Sequence, residues 1–174
     1  ATRGSFQSSQ AEWATEWFQA NVAKKISSQH CGSTILVEII YPDNQIVIDY
    51  GDFSALVLLG AYHGATGLEY SRTELQELAI EVDIRLAKLY QFASVEDVIQ
   101  SATRLPGDKE GWVLRFPSGY RVKIKGDEYC NLHRSISLCT PLNIWNMMKS
   151  NEDMKEFAES MPEEFAVDLG KIVQ

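Results

Sequence analysis

Long apolar runs are missing from this chain of 174 residues, and with them any segment able to span a bilayer as a helix, which takes about 20 consecutive apolar residues. The opening Ala1-Thr-Arg-Gly-Ser5 has no positively charged stretch leading into an apolar one, so it does not read as a signal peptide. The expectation is a cytoplasmic protein with no membrane partner. Cysteine is scarce: Cys31, Cys130 and Cys139 are an odd set without CxxC spacing, which points to neither a disulfide framework nor a zinc site. They are expected to be reduced residues of the core or of helices. His30 and His63 have no carboxylate or cysteine at ligand spacing, and no metal is assigned to them. Net positive charge is absent too, and a formal −8 would repel a phosphate backbone. No internal repeat or low-complexity linker interrupts the chain. With 45% hydrophobic residues, residues 1–174 can bury one sizeable core, so a single domain is expected.

The charge is unevenly placed. From 151 to 174, seven acids (Glu152, Asp153, Glu156, Glu159, Glu163, Glu164, Asp168) outnumber Lys155 and Lys171. Between 104 and 134, Arg104, Lys109, Arg115, Arg121, Lys123, Lys125 and Arg134 outnumber Asp108, Glu110, Asp127 and Glu128, a local +3. Within this basic stretch, Val122 and Ile124 alternate with Lys123 and Lys125. In a strand, period-two geometry sends both ammonium groups to one face, where together they can hold one phosphate. Pro117-Ser-Gly119 predicts a turn joining that strand to the apolar run Trp112-Val-Leu114. Glu110, just ahead of that run, is acceptor-only when ionised and can bind Mg²⁺ directly or through its water. Spacing alone also allows an edge strand whose lysines merely discourage aggregation.

Elsewhere the pattern predicts an α+β fold with mostly antiparallel sheets flanked by helices. A helix is expected from about Ser8 to Lys25, capped by Ser8 or Ser9, with Trp13, Trp17, Phe18 and Val22 on its apolar face. The polar stretch Ser27 to Ser33 should end it. Strands follow at about 34–40 and 45–50, joined by a turn over Tyr41-Pro-Asp-Asn44, and an apolar run at 54–62 completes an expected antiparallel meander. Ser71-Arg-Thr-Glu74 is a capping box opening a helix to about Leu89. Ser94-Val-Glu-Asp97 opens a shorter one that ends near Leu105-Pro-Gly107. After the lysine hairpin, helices are expected at about 127–138, 142–149, 151–160 and 163–171.

Glu38 lies among Leu36, Val37, Ile39 and Ile40, so its ionised carboxylate must be paired, hydrogen-bonded or turned to a cleft. A ligand contact and an internal pair are both open. Tyr129 and His133 share a helix face by their four-residue spacing, where a packed or capping histidine is the ordinary case.

Several blocks together resemble a known family. Glu110 to Arg134, EGWVLRFPSGYRVKIKGDEYCNLHR, is similar to nucleotidyltransferase motifs IV and V of phage-type ATP-dependent RNA ligases: a Glu-Gly-hydrophobic strand, Lys-hydrophobic-Lys, an aromatic residue and Leu-His. Thr2-Arg-Gly-Ser-Phe6, with Ser8, Gln10 and Ala11, resembles the block that follows the nucleophile in that family. Residues 35–50 (ILVEIIYPDNQIVIDY) resemble motif III, Leu56-Val-Leu-Leu-Gly60 stands where motif IIIa would, and Met161-Pro-Glu-Glu-Phe165 resembles the segment that closes the domain.

The resemblance implies a nucleotidyltransferase domain that uses ATP and Mg²⁺ to join RNA 5′-phosphate and 3′-hydroxyl ends through lysyl-AMP and RNA-adenylate intermediates, an activity associated with RNA repair. Lys123 and Lys125 would stabilise charge on the α-phosphate, Glu110 would hold the metal, and Glu38 would meet the nucleoside sugar. Arg3 would lie near the nucleotide phosphates and the RNA end. Leu56 and Leu58 either floor the adenine pocket or belong to the sheet core. The family attacks ATP with a lysine in a KxDG motif, and no KxDG occurs here. The expectation is therefore the C-terminal part of an adenylyltransferase domain, inactive alone, from a longer ligase. The alternatives are a DNA ligase or capping enzyme of the same superfamily, against which the long helical stretch 127–171 counts, and a non-catalytic nucleotide-binding module.

Overall fold

Alternation and capping account for most of what the computed structural model shows over the residues it describes, 5–44, 48–138 and 140–150. The chain divides into two compact units, Ala1–Gln45 with Tyr50–Tyr90, and Ile46–Asp49 with Gln91–Gln174.

In the first unit, α1 (Ser9–Asn21) begins where the Ser8 hydroxyl accepts the Ala11 N–H at 3.2 Å, satisfying one of the orphan donors of a helix start. Trp17, Phe18 and Val22 face the core, while Trp13 stacks on Tyr41 with ring centroids 4.7 Å apart. A short 3₁₀ turn at Ser28–His30 leads into β1 (Thr34–Ile40), as the polar break at 27–33 predicts. β2 (Ala55–Tyr62) pairs antiparallel with it, from Thr34↔Tyr62 to Ile40↔Ala55. The register slips between Leu36 and Val37, leaving Leu59 as the extra residue of a bulge. Leu58 and Ala61 on one sheet face form the core with Val22, Tyr70 and the α2 residues Leu75, Leu78, Ala79 and Val82, and Ile35 packs against them.

The capping box is present: Ser71 Oγ accepts the Glu74 N–H and the Glu74 carboxylate accepts the Ser71 N–H at 2.7 Å, opening α2 (Arg72–Val82). Here two expectations give way. The helix stops at Val82, not near Leu89, because Asp83 adopts a left-handed φ of 56° and caps it. The chain then forms β3 (Arg85–Leu86), which pairs parallel with β2 through Val57↔Arg85 and Leu58↔Leu86. The sheet order is therefore β1-β2-β3 with a helix before the last strand, in place of a meander. Of the strand expected at 45–50, residues 45–47 lie outside the described residues and 48–50 carry no strand.

The second unit is built around a hairpin. α3 (Val95–Ala102), capped by Ser94 on the Asp97 N–H at 3.1 Å, packs against β4 (Gly111–Arg115) and β5 (Arg121–Lys125). α4 (Asp127–Leu138) follows directly, then α5 (Pro141–Lys149), which the Thr140 hydroxyl caps by accepting the Asn143 N–H at 3.2 Å and in which Ile144 is buried. The helices expected at 151–160 and 163–171, and Arg3 and Cys139, lie outside the described residues. Cys130 stands half-buried in α4, whereas Cys31 is exposed in the turn before β1 and belongs to neither core nor helix. Among the described residues, no helix is long and apolar enough to cross a membrane. The architecture is α+β, with small antiparallel and mixed sheets flanked by helices.

Candidate functional site: the lysine hairpin

Alternation along β4 and β5 sorts the hairpin into two faces. The register Gly111↔Lys125, Trp112↔Ile124, Val113↔Lys123, Leu114↔Val122 and Arg115↔Arg121 puts Trp112, Leu114, Val122 and Ile124 on one side. Trp112 meets Phe92 edge-on at 5.2 Å there. Lys123, Lys125, Arg121, Arg115 and the exposed Val113 share the other. The turn is the expected one: Gly119 has φ 84°, its N–H donates to Phe116 O, and Phe116 N–H donates to Tyr120 O, each at 2.9 Å.

Glu110 is one residue before Gly111, so unbroken alternation would send it to the tryptophan face. Its carboxylate is instead on the lysine face. Lys123 Nζ donates to Glu110 Oε1 at 2.6 Å and Lys125 Nζ lies 3.3 Å from the same oxygen. The change of side occurs at Gly111, whose φ of 143° is a conformation L side chains rarely adopt. A Cβ there would also run into the Ile124 carbonyl oxygen. Gly126 N–H donates to Glu110 O at 2.9 Å, so the backbone stays paired while the side chain is redirected. Gly111 thus places the carboxylate, a role that spacing alone did not reveal.

Burial pushes the Glu110 carboxyl up, but the hydrogen bond and charge of Lys123, then of Lys125, outweigh it and hold the group below the usual glutamate range. The side chain is ionised at neutral pH. Its donor chemistry suits Mg²⁺, which takes one or two carboxylates and keeps several waters. Behind the lysines, Tyr129 in the first turn of α4 is buried, with its ring centroid 5.1 Å from Lys125 Nζ and 5.8 Å from the His133 ring. The shared helix face expected for Tyr129 and His133 is therefore present.

The remaining candidates belong to the first unit. Glu38 is exposed on β1, opposite Val57, on the sheet face that does not carry Ile35, Leu58 and Ala61. Leu56 and Leu58 are both fully buried on the other face, Leu58 within the core cluster. The histidines have carboxylate partners that sequence spacing could not show, because those partners come from α2. His30 Nδ1 hydrogen-bonds the Tyr70 hydroxyl at 2.9 Å and its Nε2 lies 3.3 Å from Glu81 Oε2. His63 Nε2 lies 3.2 Å from Glu74 Oε1 and stacks on Tyr70 at 4.2 Å. Among the described residues no group of three or more His, Cys, Asp or Glu is placed to hold a metal ion.

With this geometry in place, comparison with known proteins adds one relative. It carries RNA ligase in its name. The chain is 29% identical over 108 residues to a protein of Autographa californica nuclear polyhedrosis virus named "Putative bifunctional polynucleotide kinase/RNA ligase". The match takes in 62% of this chain and 15% of the viral protein, so the chain spans a small part of its relative's length. No protein-family profile matches.

Proposed function

We propose that this chain is part of the nucleotidyltransferase domain of an ATP-dependent RNA ligase, and that its hairpin holds the nucleotide phosphates. The observation that carries the reading is the convergence of Lys123 and Lys125 on a single oxygen of Glu110. Partly exposed ion pairs of this kind contribute only about 0–1 kcal/mol to stability, so a role in stability alone accounts for little of this arrangement. A preorganised pair of cations with an ionised carboxylate between them suits phosphate and its counterion. The similarity to the viral kinase/ligase protein supports the same reading.

In this account Lys123 and Lys125 donate to oxygens of the α-phosphate and stabilise the negative charge that builds there as the bond to pyrophosphate breaks. Both sit on one strand, which keeps the two ammonium groups on the same face of the hairpin. Glu110 would hold Mg²⁺, which when bound neutralises phosphate oxygens. Glu38 would meet the nucleoside sugar, and Arg3 the phosphates. A lysine in KxDG is not among these 174 residues, so the chain alone should form no covalent adduct. The runner-up readings are a non-catalytic nucleotide-binding module and a DNA ligase or capping enzyme; the name of the viral relative favours an RNA ligase over the latter.

Incubation with labelled ATP and Mg²⁺ tests the proposal. The expected result is no acid-stable protein-AMP from this chain and a stable adduct from a longer protein that carries a KxDG lysine ahead of it. In that longer protein Lys123→Ala or Lys125→Ala should slow adduct formation about 10²–10³-fold, the loss typical of one oxyanion donor. An adduct on the present chain, or unchanged rates in both variants, would overturn the reading.

A further inference from the structure

The two lysines are not held alike. Lys123 has the short contact to Glu110, 2.6 Å, and among the described residues no cation–π contact, whereas Lys125 has the longer one, 3.3 Å, and lies 5.1 Å from the centroid of Tyr129. An ammonium within about 6 Å of a ring centroid is attracted by the negative face of the aromatic quadrupole. Tyr129 is a firm support for it. The residue is 8% exposed, sits in the first turn of α4, and is joined to Lys125 by the three residues Gly126, Asp127 and Glu128. Gly126 itself is buried, and a Cβ there would stand 3.2 Å from the Ala102 carbonyl oxygen and 3.4 Å from Leu105, so the strand-to-helix junction that sets the ring under the lysine is closely packed.

We infer that Tyr129 is a positioning residue: its ring holds the Lys125 ammonium in place independently of Glu110. The consequence is a division of labour that rests on the phosphate reading above. When an anion draws the ammonium groups, or a cation occupies the carboxylate, Lys123 loses its short contact to Glu110 while Lys125 keeps the ring. Lys125 is then the preset donor and Lys123 the adjustable one. Phenylalanine, which keeps the ring face, should substitute for Tyr129; an aliphatic residue should not.

The experiment is an NMR measurement on the full 174-residue chain, reading the ε-methylene protons of both lysines, followed by titration with inorganic pyrophosphate. In the unaltered chain the Lys125 protons should be shifted upfield of those of Lys123 by the aromatic ring current. That shift should persist in Glu110→Gln and Tyr129→Phe and vanish in Tyr129→Leu. Pyrophosphate affinity should fall about two- to fivefold in Tyr129→Leu, the scale of a partly exposed cation–π contact, and be restored in Tyr129→Phe. A Lys125 signal with no upfield shift in the unaltered chain overturns the inference without any variant, so a Tyr129→Leu protein that fails to fold does not shelter it. Equal affinity in the unaltered chain and Tyr129→Leu, with weaker binding by Lys125→Ala, overturns the inference and leaves the phosphate reading standing. No pyrophosphate binding by the unaltered chain sinks the phosphate reading and this inference with it.

Discussion

Gly111 is the residue on which the site's geometry turns, and it can be separated from an ordinary hairpin glycine. Gly119 also has a positive φ, but nothing stands within 4 Å of where its Cβ would be, whereas a Cβ at Gly111 would meet backbone atoms of Ile124 and Lys125. Gly119→Ala should therefore cost only the conformational strain, about 1–2 kcal/mol. Gly111→Ala should cost more and should also break the Glu110 contacts, since strand β5 must move away. Urea denaturation of both variants checks this, and a Gly119 variant at least as damaging as the Gly111 variant would refute it. The charge at Glu110 makes a second prediction. Its folded pKa is depressed, so the stability from its ion pairs is fully present above the ordinary glutamate value and is lost as pH falls through the lower folded value. The stability difference between the unaltered chain and Glu110→Gln should be small and constant at neutral pH, should begin to shrink as the pH falls through the ordinary glutamate value, and should be gone once it is below the depressed folded value. A difference that grew on acidification would contradict the assigned partners.

At the scale of elements, legibility followed how local the determining interaction is. The Ser8 cap, the Ser71/Glu74 box, the Ser94 cap and the alternation of residues 121–125 are all contained within a few residues, and each element they specify is present. The misread stretch, 83–89, depends on distant pairing. Ile84, Leu86 and Leu89 suit the apolar spacing of a continued helix, and Asp83 carries none of glycine's signal for a left-handed stop. What decides the outcome is β2, whose Val57 and Leu58 are 28 residues away from Arg85 and Leu86. Arg72 adds to this by donating from its guanidinium to the Ala87 carbonyl at 2.9 Å. The histidine contacts were hidden for the same reason, since Tyr70 and Glu81 approach His30 only once α2 is packed. Because the capping box satisfies two orphan donors of α2, Ser71→Ala should lower the stability of the first unit by about 0.5–2 kcal/mol. Hydrogen exchange of α2 amides would report it, and unchanged protection would show that the box is ornamental to the fold.

For the molecule as a whole, the −8 net charge and the local cationic face of the hairpin are compatible because they occupy different stretches of chain. Lys123, Lys125 and Glu110 were legible as a cluster from alternation and a turn. That Glu110 shares the lysine face was not, because it requires the irregular backbone at Gly111. Salt should weaken any phosphate binding at this partly exposed site, as screening acts most on charges in contact with water. The measurement closest to the central claim is titration of the chain with ATP and Mg²⁺ while the side-chain signals of Lys123 and Lys125 are followed. The account predicts saturable changes at both lysines that are lost in Glu110→Gln when Mg²⁺ is required and in the Lys123→Ala, Lys125→Ala double variant under any condition. Saturable nucleotide binding that left both lysine signals unmoved, or no binding at all, would contradict it.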